Sequence, residues 1–245
     1  MAVPEALAGL TAIPGVRTAA QLSAGSASGS ASGSVPGPAS GSVSGSAELL
    51  TVLPPLARLL PGGGLRRGST VSVGGAMSLV LALLAAATRD GSWAAVTALP
   101  ELGLAAAAEL GVDLERLALV PHPGAELTGV LSALVDGFDL VVLGPVGVQP
   151  QLARRLAGRV RNRGTVLLAV GPWPGADLEL RVSGRRWHGL TLDGYGHLRT
   201  REVLATSRGR GAAARPLSVR LQLPGPGGAL AAGEPSERRL TEVAG

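Results

Sequence analysis

Residues 61–87 read PGGGLRRGSTVSVGGAMSLVLALLAAA: a glycine-rich turn, a β-branched strand, a second glycine turn and an apolar helix. That order of parts can hold a phosphate. The chemistry would need G-x-x-x-x-G-K-[ST] between strand and helix, so that backbone N–H groups and one lysine neutralise the anion. Here Gly74 and Gly75 run straight into Ala76, Met77, Ser78 and Leu79, and the chain holds no lysine at all, its 22 basic residues being arginines. The scaffold of a nucleotide site is present and its charge is absent.

The second candidate chemistry is electrostatic. Residues 151–220 hold fourteen arginines against Asp177, Glu179, Asp193 and Glu202, whereas residues 1–150 hold six arginines against ten acids. A basic half of this kind attracts phosphate backbones, with salt-dependent and sequence-tolerant binding. Arg154, Arg155, Arg159, Arg161 and Arg163 fall in and just after one expected helix, and Arg185 and Arg186 precede Trp187. Trp173 is the residue expected to stack on unpaired bases beside them, with Trp187 as a second platform. The same arginines would equally suit an acidic protein partner.

The elements that must position these residues follow from composition and periodicity. With 46% hydrophobic residues the chain can bury a core, and with 2% aromatics that core is built from Ala, Val and Leu. There is no cysteine, so disulfides and thiolate metal sites are excluded. His122, His188 and His197 are too scattered to suggest a metal cluster, and no cofactor is expected. No secretion signal is recognisable, and the longest apolar run, Ala76 to Ala87, is shorter than the ~20 residues that span a bilayer. A cytoplasmic, nucleoid-associated protein without a membrane partner is expected.

Four segments are expected. Residues 1–22 form a short apolar peptide in which Leu7, Leu10, Ile13 and Val16 recur at near-helical spacing. Residues 23–47 form a Gly/Ser-rich linker, residues 48–223 the folded domain, and residues 224–245 a disordered tail. Within the domain, prolines 54 and 55 break a short Leu-rich helix. Strands at 70–73, 93–97, 117–120, 139–143 and 165–170 alternate with helices at 77–88, 102–110, 125–136 and 149–160. This alternation predicts an α/β fold with a mostly parallel sheet flanked by helices. Four short strands at 178–182, 187–192, 201–205 and 216–223 are expected to add antiparallel edge strands at the C-terminal side.

From about Leu53 to Leu223 the chain resembles the RecA recombinase core. The resemblance lies in Glu109-Leu110-Gly111-Val112-Asp113 after the second strand, in Arg155-Leu156-Ala157-Gly158, and in Thr165-Val166-Leu167-Leu168, collinear and correctly spaced. It implies a RecA-like sheet and also shows what is lost. Beside the degenerate turn at Gly74 and Gly75, the catalytic glutamate position is Leu99, the Walker B aspartate position is Gly144, and the nucleotide-sensing glutamine position is Gly171. Hydrolysis needs charge at each of these places, so the resemblance implies a pseudo-ATPase and no enzyme. Both stretches that RecA uses on DNA are shortened as well: nine residues lie between Gly144 and Arg154, and seven between Val170 and Leu178.

A degenerate, truncated RecA core of this kind is similar to the actinobacterial ImuA-type family of translesion-synthesis accessory proteins. That similarity implies a non-catalytic adaptor in DNA-damage-induced mutagenesis. Its partners would be an ImuB-like Y-family-related protein, an error-prone C-family DNA polymerase complex, and single-stranded DNA. The same losses also fit a SulA-like cell-division inhibitor, or another protein-binding regulator, on a degenerate RecA core. The basic half favours the DNA-associated reading.

Overall fold

The computed structural model describes residues 17–18, 49–191 and 193–233. The expectations for residues 1–22 and 23–47 therefore lie outside it except at Arg17–Thr18. In chain order the elements are β1 (Arg17–Thr18), β2 (Leu49–Leu50), α1 (Pro54–Ala57), β3 (Leu65–Arg66), β4 (Thr70–Gly74), α2 (Met77–Arg89), β5 (Ala94–Thr97), α3 (Leu104–Glu109), β6 (Leu117–Val120), α4 (Leu127–Gly137), β7 (Leu140–Leu143), α5 (Pro150–Arg163), β8 (Val166–Val170), β9 (Leu178–Leu190), β10 (Gly196–Gly209), β11 (Leu217–Gln222) and β12 (Ala231–Ala232).

One sheet orders its strands β1-β6-β5-β7-β8-β4-β9-β10-β11-β12, and β2 pairs with β3 beside it. The pairs from β6 through β9 are all parallel, as crossover helices between consecutive strands require. Strands β10, β11 and β12 close the far edge antiparallel, and β1 lies antiparallel on β6. This is the mostly parallel RecA-like α/β sheet with antiparallel edge strands that the sequence predicts.

Each central strand sends alternate residues to opposite faces. Leu140, Val142, Val166 and Leu168 join α1, α2 and α3 in one apolar cluster. Val141, Leu143, Leu167 and Ala169 join α4 and α5 in the other. Helix α2 is buried nearly all round, from Leu79 to Ala85, and it packs where a sheet face and a helix cover both sides of it. Helix α5 buries only Ala153, Leu156 and Val160, at spacings of three and four, and turns its arginines outward. It stops where Gly164 takes a left-handed conformation, φ +70°.

Several expectations are corrected. Pro54 and Pro55 start α1 rather than break it, because a first-turn proline lacks only an N–H that has no helical partner there. The strands expected at 178–182 and 187–192 are one thirteen-residue strand, β9, which pairs parallel with β4. Gly184, read as a turn, has φ +62° and sits at a register shift that lets the strand continue. The strand expected at 201–205 is part of the fourteen-residue β10. Within the disordered tail expected from residue 224, Ala231–Ala232 instead adds a strand to β11; residues 234–245 lie outside the described part.

Candidate functional site

The degenerate nucleotide positions gather at the carboxyl ends of the parallel strands, where ligands bind in open α/β sheets. Gly74 ends β4, and Gly75 follows with φ +94°. A Cβ on Gly75 would stand 2.2 Å from the Val182 carbonyl oxygen, so β9 lies directly on the turn. Gly144 follows β7 just as closely: a Cβ there would stand 1.8 Å from the Ala98 carbonyl oxygen. Ala98 itself has φ +57°, strained for a residue with a Cβ. Leu99 and Pro100 line an apolar cleft of 240 Å³ with Val96, Leu102, Leu104, Leu119 and Pro121. Gly171, after β8, donates its N–H to the Val73 carbonyl and accepts the Ser72 hydroxyl.

Helix α2 begins at Ala76, whose side chain caps nothing. Its first turn is reached by the Arg201 guanidinium, which donates to Ser78 Oγ at 2.8 Å and to the Leu223 carbonyl at 2.7 Å. The chain's own backbone and side chains thus fill the ends of β4, β5 and β7. Among the described residues no group of metal ligands is present, and no helix is long and apolar enough to cross a membrane.

Restoring one acid tests how closed this end is. Gly144→Asp should lower stability by about 1–3 kcal/mol, the range for overpacking, because its Cβ meets backbone. It should not create magnesium-dependent ATP turnover. A thermal melt and a phosphate-release assay check both halves.

The arginine helix divides into two groups. Arg159 and Arg163 both bind Asp136 on α4: Arg159 through Nε at 2.7 Å and through Nη2, Arg163 through Nε at 3.0 Å. They clamp α5 to α4, so of the five candidate arginines on this helix these two already hold a carboxylate. Local spacing could not show this, since Asp136 lies 23 and 27 residues away. Arg154, Arg155 and Arg161 are exposed on α5. Trp173 is a correction: it is 7% exposed and packs in the cluster with Ala153 and Leu156, leaving no face for a base.

The Arg159 hydrogen bond is the largest influence on the Asp136 carboxyl, burial opposes it, and Arg163 adds to it; the net effect lowers the pKa below 3.8. A depressed carboxyl pKa stabilises the fold above the unfolded-state value and loses that contribution as pH falls through the folded value. Asp136→Asn should therefore melt a little earlier than the parent at neutral pH. The gap should close as pH falls below the ordinary carboxylate range and through the lowered folded-state value, as acid melts would record.

The sequence missed a hairpin. Beyond Arg181, β9 has no β4 partner, and beyond Glu202, β10 has no β11 partner. Residues 187–200 therefore project as a two-stranded ribbon of roughly 13 Å, at ~3.3 Å per residue. Arg185 and the exposed Arg186 lie just below it, opposite Val203 and Glu202 in register, where β11 still pairs with β10. Among the described residues the large exposed apolar side chains are Trp187, Leu190, Leu198 and Leu204 on these two strands and Tyr195 in the turn between them. Tyr195 is 77% exposed and Trp187 42%. Trp187 lies under the Arg201 guanidinium, 5.4 Å from the ring centre, so Arg201 anchors the ribbon's base. The alternation of Arg, Trp, Leu and Tyr over 185–198 was the available signal.

Fold and site together define an α/β protein with a mostly parallel RecA-like sheet, tightly packed glycine turns after β4 and β7, and exposed apolar side chains on a projecting hairpin. The model of a family described as the MT3502 N-terminal domain matches residues 58–175. A protein of Mycobacterium tuberculosis (strain ATCC 25618 / H37Rv), described as uncharacterized protein Rv3395c, is 38% identical over 163 residues, which are 62% of this chain and 80% of that protein. The chain belongs to this MT3502 family. Among solved structures it is similar to the flagellar accessory protein FlaH from Methanocaldococcus jannaschii, with a TM-score of 0.48, 13% identity, and coverage of 74% of this chain and 95% of that one.

Proposed function

We propose that this chain is an ImuA-type adaptor: a non-catalytic RecA-like protein of DNA-damage-induced mutagenesis. It joins an ImuB-like Y-family-related protein to an error-prone C-family polymerase complex and to DNA. The observation that carries the reading is the hairpin of β9 and β10. A cluster in sequence of exposed large apolar side chains on an otherwise well-covered fold suits an interaction site, and an adaptor needs one that catalysis does not use. The losses at Leu99, Gly144 and Gly171 support the absence of turnover, and the resemblance of the core to ImuA-type proteins supports the choice of partner.

Co-expression with an ImuB-like protein from the same genome tests the reading. A complex that survives gel filtration is expected. Failure to co-migrate, with capture of a cell-division protein instead, would move the assignment to a SulA-like regulator. Any magnesium-dependent ATP hydrolysis that follows the protein through purification would remove the pseudo-ATPase part.

A further inference from the structure

A cavity lies at the opposite end of the sheet from the Gly74–Gly75 and Gly144 turns. It measures 860 Å³ and is lined by Arg66, Arg67, Arg161, Arg210 and Asp177 together with apolar and glycine residues. These come from the start of β4, the C-terminal turn of α5, the start of β9 and the end of β10, all at the amino ends of the parallel strands. From Val71 in its wall, three residues of β4 lead to Gly74, roughly 10 Å. It is therefore not a remnant of the nucleotide pocket.

Its charge is uneven. The Asp177 carboxylate accepts the Thr70 N–H at 2.9 Å, and Arg67 binds Asp139 through Nη1 at 2.9 Å while its buried Nε has no hydrogen-bond partner. Among the described residues neither Arg161 nor Arg210 has an ion pair. Arg161 and Arg210 thus bring to the cavity positive charge that no carboxylate among the described residues pairs, while Asp177 is already used by the sheet. The walls between them, at Leu49, Pro61, Leu65, Val71 and Leu178, are apolar. Guanidinium forks match phosphate oxygens in pairs, and the volume is that of a small-ligand site. A ligand carrying phosphate on a flat, largely apolar body satisfies both the charge and the walls.

We infer that this cavity is a phosphate-binding site for a nucleotide unit, held by Arg161 and Arg210 with Arg66 and Arg67 at its floor. The unit is either one link of a single strand or a free nucleotide. The inference rests on the cavity alone and holds whether or not the chain serves a polymerase.

The test uses the full chain, a fluorescein-labelled thymidine 20-mer followed by anisotropy over a salt series, and dTMP followed by calorimetry. Arg161→Ala/Arg210→Ala is compared with Arg154→Ala/Arg155→Ala, which removes equal charge from the outer part of α5. With a strand as ligand, the cavity variant should bind at least tenfold more weakly. Its slope of log affinity against log salt should fall by about 1.4, two contacts at ~0.7 each, and the outer variant should change less. With a free nucleotide as ligand, dTMP binding is lost in the cavity variant and the 20-mer binds neither protein. Equal losses in the two variants, or no binding of either probe to the parent, would overturn the site. If the double variant melts early, each single variant is read in its place.

Discussion

Replacing Leu190, Tyr195 and Leu198 together by Ser is expected to break the complex with the ImuB-like partner while leaving the fold intact. These side chains are more than half exposed on the free ribbon, so their loss takes no packing from the core and Tm should move by no more than about 2 °C. At an interface, a few apolar and aromatic anchors carry most of the binding energy, about 1–2 kcal/mol or more each. Three together give roughly 3 kcal/mol or more, over 100-fold in Kd. Trp187 is left in place because its ring holds Arg201, and removing it would disturb the ribbon's base. Unchanged affinity by calorimetry, with a normal melt, would place the partner surface elsewhere.

The second large effect is expected at Asp139. Its carboxylate accepts the Trp93 N–H at 3.0 Å and Arg67 Nη1 at 2.9 Å, and its carbonyl accepts the Val166 N–H at 2.8 Å. One residue before β7 thus ties the entry to β5, the turn before β4 and the start of β8. Asp139→Ala leaves the Trp93 N–H and the Arg67 guanidinium, whose Nε is already unpartnered, without their acceptor. Each orphaned group costs about 1–3 kcal/mol, so a loss of about 2–4 kcal/mol is expected. For a domain of this size that is roughly 5–12 °C in Tm. Asp139→Asn keeps an acceptor for Trp93 and should lose about half as much. An alanine variant as stable as the parent would refute the shared-acceptor role.

The parallel half was legible because its signal is local. Five short apolar strands separated by helix-length segments leave few arrangements, and Leu140 to Leu143 read as buried on both faces. The antiparallel half was read as shorter pieces because Gly184, Gly189 and the Asp193-Gly194 turn all look alike in sequence. Only the last is the hairpin turn, closed by Thr191 N–H on the Tyr195 carbonyl. Trp173 misled because a tryptophan among prolines and glycines reads as exposed, whereas the short turn after β8 folds it against α5. The arginines misled for a different reason. Whether a guanidinium is engaged depends on residues distant in sequence, as Asp136 is from Arg163. The cavity draws its arginines from three separate segments that share no spacing, so no reading along the chain could gather them.

The placement of β4 bears on synthesis. Thr70 pairs with Leu167 on one side and Val71 with Leu178 on the other, so both neighbours emerge from the ribosome about a hundred residues later. At ~5–20 residues per second, the β-branched run and the apolar α2 behind it wait roughly 5–20 s for a sheet to join. Strands β5 and β6 can meet each other in that interval, but the strand at the sheet's centre cannot. A chain stopped at residue 175, where the family match ends, would leave β4 with one neighbour and its Thr70 N–H without Asp177. The first strand of the C-terminal hairpin is thus the element that completes the centre of the sheet.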